Sequence, residues 1–268
     1  SMNKIVLEAR KRDYEKKVNA EKKKLLASLS PRFKWNQKIL KIIQANLDID
    51  PTSDIKLDTG LIVASIQAEI EKHNKNPENK ENLIAPISNG DWASLFIGIN
   101  KIKSADLQNA YTKTLDLLHQ QTSELTSLVQ QLADLEKARE ASVHWIWTLE
   151  ILAMEKTKEE IAKKKEEIAT TTSTVEAIVK KKHETDIQTL TLEEIVKKKE
   201  EYRGVPFQDA YKKGERITID SEAGKKLIAA YEQRREKVDV IKKALEEDDI
   251  YALNNATTEL QEENNRFY

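Results

Sequence analysis

Long parts of this chain place apolar residues three and four positions apart, which is the spacing of one face of an α-helix. The longest such stretch runs from about residue 104 to 169, and the span 101–203 contains neither glycine nor proline. The pattern predicts an all-α fold: an elongated helical bundle or antiparallel coiled coil with one long central helix. The apolar seam of that helix consists of Leu118, Leu125, Leu128, Leu132, Leu135, Ile146 and Leu149.

Shorter helices are predicted before this stretch. A polar, basic helix is expected over 3–29, and Ser30-Pro31 predicts a restart that leads into an apolar helix over 32–47. Another helix is predicted over 60–74, and Asp91 is the expected cap of a further apolar helix before the long stretch. A loop is expected at 75–90, where proline and Asn-Gly signals cluster.

The C-terminal part predicts a helical hairpin, formed by residues 221–247 and 249–265. Asp248 or Asp249 is the expected cap of its second helix, since aspartate accepts hydrogen bonds from free N–H groups at a helix start. Ile217-Thr218-Ile219 has the composition of a lone strand, although no partner strand is evident.

These elements suggest three consecutive regions. The first is an N-terminal helical region over 3–100. The second is a long helix or coiled-coil region over 101–203, and the third is the C-terminal hairpin region over 204–268. Gly204 and Pro206 mark the last boundary.

A nine-residue pattern occurs three times within the long region. It reads Thr-x-Glu-[Glu/Ala]-Ile-[Ala/Val]-Lys-Lys-Lys and starts at Thr157, Thr174 and Thr191, at intervals of 17 residues. An internal repeat indicates one structural unit copied in tandem.

Two interpretations of the repeat are open. In the favoured one, each threonine caps a short helix, and the chain bends or folds back near Thr170–Thr174. In the other, one helix runs through all three copies. A step of 17 residues then rotates each copy by about 100° from the last, so the lysine triplets face three directions.

Composition supports helices over sheets, because 34% of the residues are charged and the chain has only six glycines and five prolines. There is no cysteine, which excludes disulfides and thiolate sites. No catalytic constellation, cofactor site or metal site is predicted. Asp58-Thr59-Gly60 matches the loop of aspartic proteases, but a single copy without a β scaffold indicates that Asp58 is a helix cap.

Charge is unevenly distributed although the net charge is −1. Residues 1–41 hold thirteen Lys or Arg and four Asp or Glu, whereas residues 244–268 hold seven acidic residues and one basic residue. Across 155–203, twelve basic residues are balanced by twelve acidic ones, which argues against a nucleic-acid site at the lysine triplets. The N-terminal arm is therefore the candidate surface for an acidic partner, through Lys16, Lys17, Lys22, Lys23 and Lys24.

His144-Trp145-Ile146-Trp147 is the most unusual apolar cluster. On a helix, two residues two positions apart point about 160° apart, so Trp145 and Trp147 cannot both face one neighbour. One interpretation is a local bundle core covered on both sides. The other is a partner-binding anchor made of His144, Trp145 and Trp147, because tryptophan is frequent at binding hot spots.

The acidic tail carries a glutamate-rich block and then an apolar residue: Glu259, Glu262, Glu263 and Phe267. This tail resembles the translocation signal of Dot/Icm-type (type IV) secreted effectors of intracellular bacteria. The resemblance covers only the tail. It implies a bacterial protein that is secreted into a host cell and binds a host protein there.

Three functional hypotheses follow. The leading one is a non-enzymatic helical protein–protein interaction module, a secreted bacterial effector in its most specific form, which binds another protein and no nucleic acid. The second is a membrane-acting helical protein, either curvature-binding or pore-forming. The third is an enzyme with an unrecognised site. The sequence predicts a soluble protein of the bacterial cytoplasm or of an infected host cell, and leaves its oligomeric state open.

Overall fold

A computed structural model describes residues 2–34, 36–50, 52–53, 57–141 and 147–267. These residues form eight α-helices and one 3₁₀ turn, η1, without a strand, which confirms the all-α fold class. The two longest helices have 53 and 51 residues. The elements are α1 Met2–Phe33, α2 Gln37–Leu47, α3 Thr59–Lys75, η1 Pro77–Asn79, α4 Asn89–Ala141, α5 Trp147–Lys197, α6 Phe207–Asp220, α7 Glu222–Glu246 and α8 Ile250–Phe267.

The chain divides into two compact units, and neither is a continuous segment. Unit 1 comprises Ser1–Asn109 and Lys181–Ala229, and unit 2 comprises Ala110–Lys180 and Ala230–Tyr268. The boundaries fall inside α4, α5 and α7. The division therefore differs from the three consecutive regions suggested by the sequence, because antiparallel helices bring distant segments together.

Unit 1 is built around large aromatic side chains. The ring of Trp92 stacks on Phe96 with 6.3 Å between their centroids. The centroids of Phe96 and Phe207 are 5.7 Å apart, and these two ring planes are tilted by 42°. Isoleucines from α2 and α3 complete this core. The start of α3 is capped as predicted, since the Leu61 N–H donates to the Asp58 carboxylate at 3.0 Å.

Helix α1 packs on unit 1 along one apolar edge. Val18 is 7% exposed and Phe33 is 1% exposed. A Cβ added to Gly98 of α4 would lie 2.7 Å from Leu25 Cδ1, so the glycine permits the two helices to approach closely. The partly buried members of this edge are Tyr14, Leu25, Leu26 and Leu29.

Within unit 1, the first part of α4 and the last part of α5 are antiparallel. Asn100 Nδ2 donates to Gln188 Oε1 at 2.8 Å, and the Ser104 hydroxyl donates to Asp186 at 3.3 Å. The amide of Asn89, at the start of α4, donates to carbonyl oxygens of the segment between α5 and α6.

Unit 2 consists of four helical segments from α4, α5, α7 and α8. Helices α4 and α8 are antiparallel, because Thr112 accepts a hydrogen bond from Asn264 and Thr126 accepts one from Asn254. The buried side chains include Leu115, Leu118, Leu125, Ile168, Val175, Ile178, Val238, Ile241, Leu253 and Leu260. Two predicted seam positions, Leu118 and Leu125, are thus in the core.

The predicted C-terminal hairpin is confirmed. Helices α7 and α8 are antiparallel, and the Ala252 N–H donates to the Asp249 carboxylate at 3.0 Å. Asp248 occupies the turn with φ 56°, a left-handed conformation that aspartate tolerates better than most residues.

The predicted bend at Thr170–Thr174 was wrong, because α5 is helical from Trp147 to Lys197. The threonine hydroxyls do not compete with the helix. Each one at positions 170, 171, 172 and 174 donates to the carbonyl four residues earlier, which leaves the backbone ladder intact. Thr157 and Thr191 do the same, so they are interior residues and not caps.

Three further boundaries differ from the sequence predictions. Helix α1 passes through Pro31 and ends at Phe33, so the break falls later than Ser30-Pro31. The apolar helix predicted to start at Asp91 and the long helix predicted from about residue 104 form one helix, α4, which begins at Asn89. Residues 217–219 are helical and belong to α6, where Thr218 is buried, so the lone strand was wrong.

Candidate functional site

Four lysines of α1 form one outward-facing surface, which we call the basic face. Its members Lys16, Lys17, Lys23 and Lys24 are all exposed. Lys16 and Lys23 are seven residues apart, as are Lys17 and Lys24, so each pair is almost aligned along the helix. None of the four forms a salt bridge with any part of the chain that the structure describes. Asp13 shares this side of the helix, one turn earlier.

The fifth predicted lysine, Lys22, has a different environment. It is half-buried, and its charge acts on the carboxyl group of Asp106 in α4. Burial raises the pKa of Asp106, while the nearby Lys22 ammonium opposes that rise. Lys22 therefore belongs to the contact between α1 and the rest of unit 1 and not to the basic face.

The tryptophan cluster lies almost wholly outside the described residues. His144 and Trp145 fall there, and so does the side chain of Trp147, whose backbone begins α5. In the next turns of α5, Leu149 is 69% exposed and Leu152 is 60% exposed. The choice between a buried cluster and a partner anchor stays a prediction.

Two lysines in the triplet of the first repeat copy, Lys164 and Lys165, are ion-paired. Lys164 Nζ lies 2.6 Å from Glu124 of α4 and 2.8 Å from Glu167. These hydrogen bonds raise the pKa of Lys164, with Glu124 contributing most. Lys165 pairs with Asp248 in the turn between α7 and α8.

The second and third copies differ from each other. In the third, Lys198 Nζ lies 2.7 Å from Glu194, one turn earlier in α5. In the second, Lys182 Nζ lies 3.4 Å from Asp186. The ammonium of Lys181, however, is buried and has no hydrogen-bond partner among the described residues.

Lys181 lines a cavity of about 320 Å³ within unit 1, between α4, α5 and α6. A second lysine, Lys103 of α4, lines the same cavity and is only 8% exposed. No salt bridge to Lys103 exists in the described part of the protein. The other lining residues are Leu57, Asn100, Leu107, His183, Glu184, Thr185, Ile187, Gln188, Tyr211 and Glu215.

Lys181 acts electrostatically on Lys103. Burial lowers the pKa of Lys103, because removal from water disfavours the charged form, and the nearby Lys181 ammonium lowers it further. The pKa of Asp50 is lowered mainly because its carboxylate accepts hydrogen bonds from the backbone N–H and the hydroxyl of Thr52, and the Lys181 ammonium lowers it further.

A hydrogen-bonded series of side chains fixes one wall of the cavity. Asn100 donates to Gln188, and Gln188 in turn is hydrogen-bonded to the Tyr211 hydroxyl. Burial raises the pKa of Tyr211, so this phenol is neutral at physiological pH. The wall therefore has a defined geometry before any ligand enters.

Sequence reasoning missed this lysine pair, although two signals point to it. Phe96, Asn100, Lys103 and Leu107 follow a four–three–four spacing, which places Lys103 on the face of α4 that packs inward. In the second repeat copy, Ala177 stands where the other two copies have a glutamate, which removes the acidic residue one turn before Lys181.

Comparison with protein-family models, with curated proteins and with solved structures finds no match for this chain. Among the described helices, none combines the length and the apolar character needed to cross a membrane. In the same residues, no three His, Cys, Asp or Glu side chains form a group that could hold a metal ion.

Proposed function

We propose that this chain is a helical protein–protein interaction module that binds an acidic surface of another protein through the basic face of α1. The observation that carries this proposal is the set of four exposed lysines that form no salt bridge with the described residues. Helix α1 packs on the rest of unit 1 through the edge around Val18 and Leu25, which lies opposite the basic face. The four charges therefore point outward.

The chemistry of this surface supports a protein partner. The lysine pairs extend over about two turns, or roughly 11 Å, which is a length that an acidic helix or loop can match. Complementary charges of this kind speed up association and favour one partner over others more than they add affinity. Binding should accordingly weaken as salt screens the charges.

A charge-reversal variant tests the proposal. Lys16, Lys17, Lys23 and Lys24 are changed to glutamate, and the matched control changes four exposed lysines of unit 1 that lie elsewhere: Lys72, Lys80, Lys101 and Lys212. The first probe is a poly-glutamate peptide. Proteins cross-linked in a host-cell lysate are the second.

We expect the basic-face variant to lose peptide binding and to lose a discrete set of cross-linked proteins, while the control keeps both. Circular dichroism shows whether α1 remains helical. If both variants behave alike, the basic face is not the interface.

Vesicles containing phosphatidylserine separate this proposal from the membrane-acting hypothesis. A basic helix also attracts anionic lipid, at about 1 kcal/mol per lysine near the surface. The chain would favour a membrane surface over a protein partner if its affinity for these vesicles exceeded its affinity for the peptide. The basic-face variant should then no longer co-sediment with the vesicles.

The resemblance of the tail to type IV secretion signals adds a proposal about delivery. Two glutamates of α8 form salt bridges with α7: Glu259 pairs with Lys237, and Glu263 pairs with Arg234. Glu262 is exposed. A translocation reporter fused to the chain should enter host cells, and removal of residues 250–268 should abolish this. Equal entry of both forms would contradict the proposal.

A further inference from the structure

The cavity of unit 1 is lined by two lysines, and neither of them forms a salt bridge within the described part of the protein. Lys103 is 8% exposed, and the Lys181 ammonium is fully enclosed without a hydrogen-bond partner. A buried ammonium group normally has a paired carboxylate or several hydrogen-bond acceptors, because its desolvation is otherwise unfavourable. Two such groups in one cavity indicate that the missing partner is a ligand.

We infer that the cavity lined by Lys103 and Lys181 binds a small organic anion of the phosphate-monoester class. Two ammonium groups match the charge of about −1.5 to −2 that a phosphate monoester carries at neutral pH. Lysine acts as a point charge and needs no particular orientation of the phosphate. This site is separate from the basic face of α1.

The size and the walls of the cavity limit the ligand. A volume of about 320 Å³ lies at the lower end of the range for small-molecule sites. Leu57, Leu107 and Ile187 provide apolar walls, which suit a short organic body and not an inorganic ion alone. Glu184 and Glu215 also line the cavity and would repel a second anionic group, so a ligand with one charged end is favoured.

The amide and phenol wall adds specificity. Asn100, Gln188 and Tyr211 are already hydrogen-bonded to one another, so a ligand meets donors and acceptors whose positions are fixed. Such pre-organisation reduces the entropy lost on binding. His183 and Thr185 offer further polar groups on the side of α5.

The test uses four probes on the full chain. Phenyl phosphate carries the dianion and an apolar body, inorganic phosphate carries the charge alone, and benzyl alcohol carries the apolar body alone. Succinate presents two carboxylates in place of a phosphate. Binding is measured by isothermal titration calorimetry and by the shift in melting temperature.

The variants are Lys103→Met and Lys181→Met. Their controls are Lys101→Met and Lys180→Met, which remove exposed lysines close in sequence to Lys103 and Lys181. We expect phenyl phosphate to bind the natural chain and both controls equally. Each of the two cavity variants should lose about tenfold in affinity or more, since a charge-assisted hydrogen bond contributes at least that factor. Inorganic phosphate should bind more weakly, and benzyl alcohol should not bind.

A measurement on the natural chain keeps the inference testable if a methionine variant does not fold. Phenyl phosphate should shift the side-chain NMR resonances of Lys103 and Lys181 and leave those of Lys101 and Lys180 unchanged. Unchanged resonances of Lys103 and Lys181 at saturating phenyl phosphate, or equal affinity of Lys103→Met and the natural chain, overturn the inference. Equal binding of succinate and phenyl phosphate overturns the assignment to phosphate esters. Loss of the basic face should leave all these results unchanged.

Discussion

The first and second copies of the repeat place the same lysine in opposite environments. Lys164 and Lys181 are the eighth residues of their copies, 17 positions apart on α5. Lys164 is held between two glutamates at 2.6 and 2.8 Å, whereas the ammonium of Lys181 is enclosed beside a second lysine and has no hydrogen-bond partner in the described structure. The same motif thus gives a salt bridge in one copy and an unpaired cation in the other.

The neighbours of each copy explain the difference. Because 17 residues rotate a helix by about 100° relative to whole turns, equivalent residues need not meet equivalent partners. Lys164 meets Glu124 of α4 within unit 2. Within unit 1, the antiparallel alignment of α4 and α5 brings Leu107 and Lys103 to the cavity that Lys181 lines. The repeat therefore keeps the sequence helical along α5, while the residues of the facing helix determine whether a repeated lysine forms a salt bridge.

The isoleucines of the three copies provide the largest test of this contrast. Ile195 is 0% exposed and Ile178 is 2% exposed, whereas Ile161 is half-buried. Replacement of Ile178 or Ile195 by alanine should lower the free energy of unfolding by about 2–5 kcal/mol, the usual range for a core isoleucine. Ile161→Ala should lower it by less than half as much. Urea denaturation measures all three, and equal losses would mean that the copies are equivalent after all.

The lysines should give effects of opposite sign. Lys164→Met removes a partly exposed ion pair and should destabilise the protein by up to about 1 kcal/mol, less at high salt. Lys103→Met and Lys181→Met remove largely buried lysines for which the described residues supply no salt bridge, and should raise the melting temperature, on the order of 2–4 °C for each 1 kcal/mol gained. Scanning calorimetry without added anions decides this. Destabilisation by all three substitutions would show that Lys103 and Lys181 have partners in the folded protein.

The pH dependence of stability should follow from the lowered pKa of Lys103. Its ordinary value is 10.5, and the folded protein releases this proton at a lower pH than the unfolded chain does. In that window unfolding takes up a proton, so raising the pH towards 10.5 stabilises the natural chain. The stability advantage of Lys103→Met should therefore shrink as the pH rises from 7 to 9.5.

Other ionisable groups lie near Lys103, so the informative quantity is the difference in stability between the natural chain and Lys103→Met. Lys181, His183, Glu184 and Glu215 line the same cavity. The comparison is between the natural chain and Lys103→Met at each pH, with Lys101→Met as the control. An advantage that stays constant across this range would contradict the lowered pKa.

The sequence was sufficient for most of the fold because hydrophobic spacing and caps are local signals. The helices predicted over 60–74, 221–247 and 249–265 lie within two residues of the observed ends of α3, α7 and α8. Predicted helix boundaries were wrong at residues that can either end a helix or be accommodated within one. Pro31 was taken as a break, although it lies close to the end of α1, and the threonines at 170–174 were taken as a joint.

The candidate sites were less predictable because they depend on partners distant in sequence. The basic arm was recognisable from charge alone, but the separation of Lys22 from the other four lysines depends on Asp106, 84 positions later. Lys103 and Lys181 line the same cavity because α4 and α5 are aligned in one particular register. The apolar pattern of a single helix does not predict that register. The spacing of Phe96, Asn100, Lys103 and Leu107 is a signal that Lys103 lies on the inward face of α4, although it was not used, and only the facing helix shows which residues Lys103 meets.

The threonines that open the copies provide the smallest and most discriminating test. If Thr191 were a helix cap, valine and alanine would both cost about 1 kcal/mol, because both lose the capping hydroxyl. In the structure the hydroxyl only bonds back to the Ile187 carbonyl at 2.9 Å, while a Cβ added to Gly214 would lie 3.4 Å from the Thr191 methyl group. Valine keeps that methyl group.

We therefore expect Thr191→Val to change the free energy of unfolding by less than about 0.5 kcal/mol, and Thr191→Ala to cost about 0.8 kcal/mol for the lost methyl contact. Thr174 is exposed, so Thr174→Ala should be neutral or stabilise by up to about 0.7 kcal/mol through helix propensity. Urea denaturation of the three variants measures these differences. A loss of about 1 kcal/mol in Thr191→Val and in Thr174→Ala would restore the capping interpretation and, with it, a helix boundary at each copy.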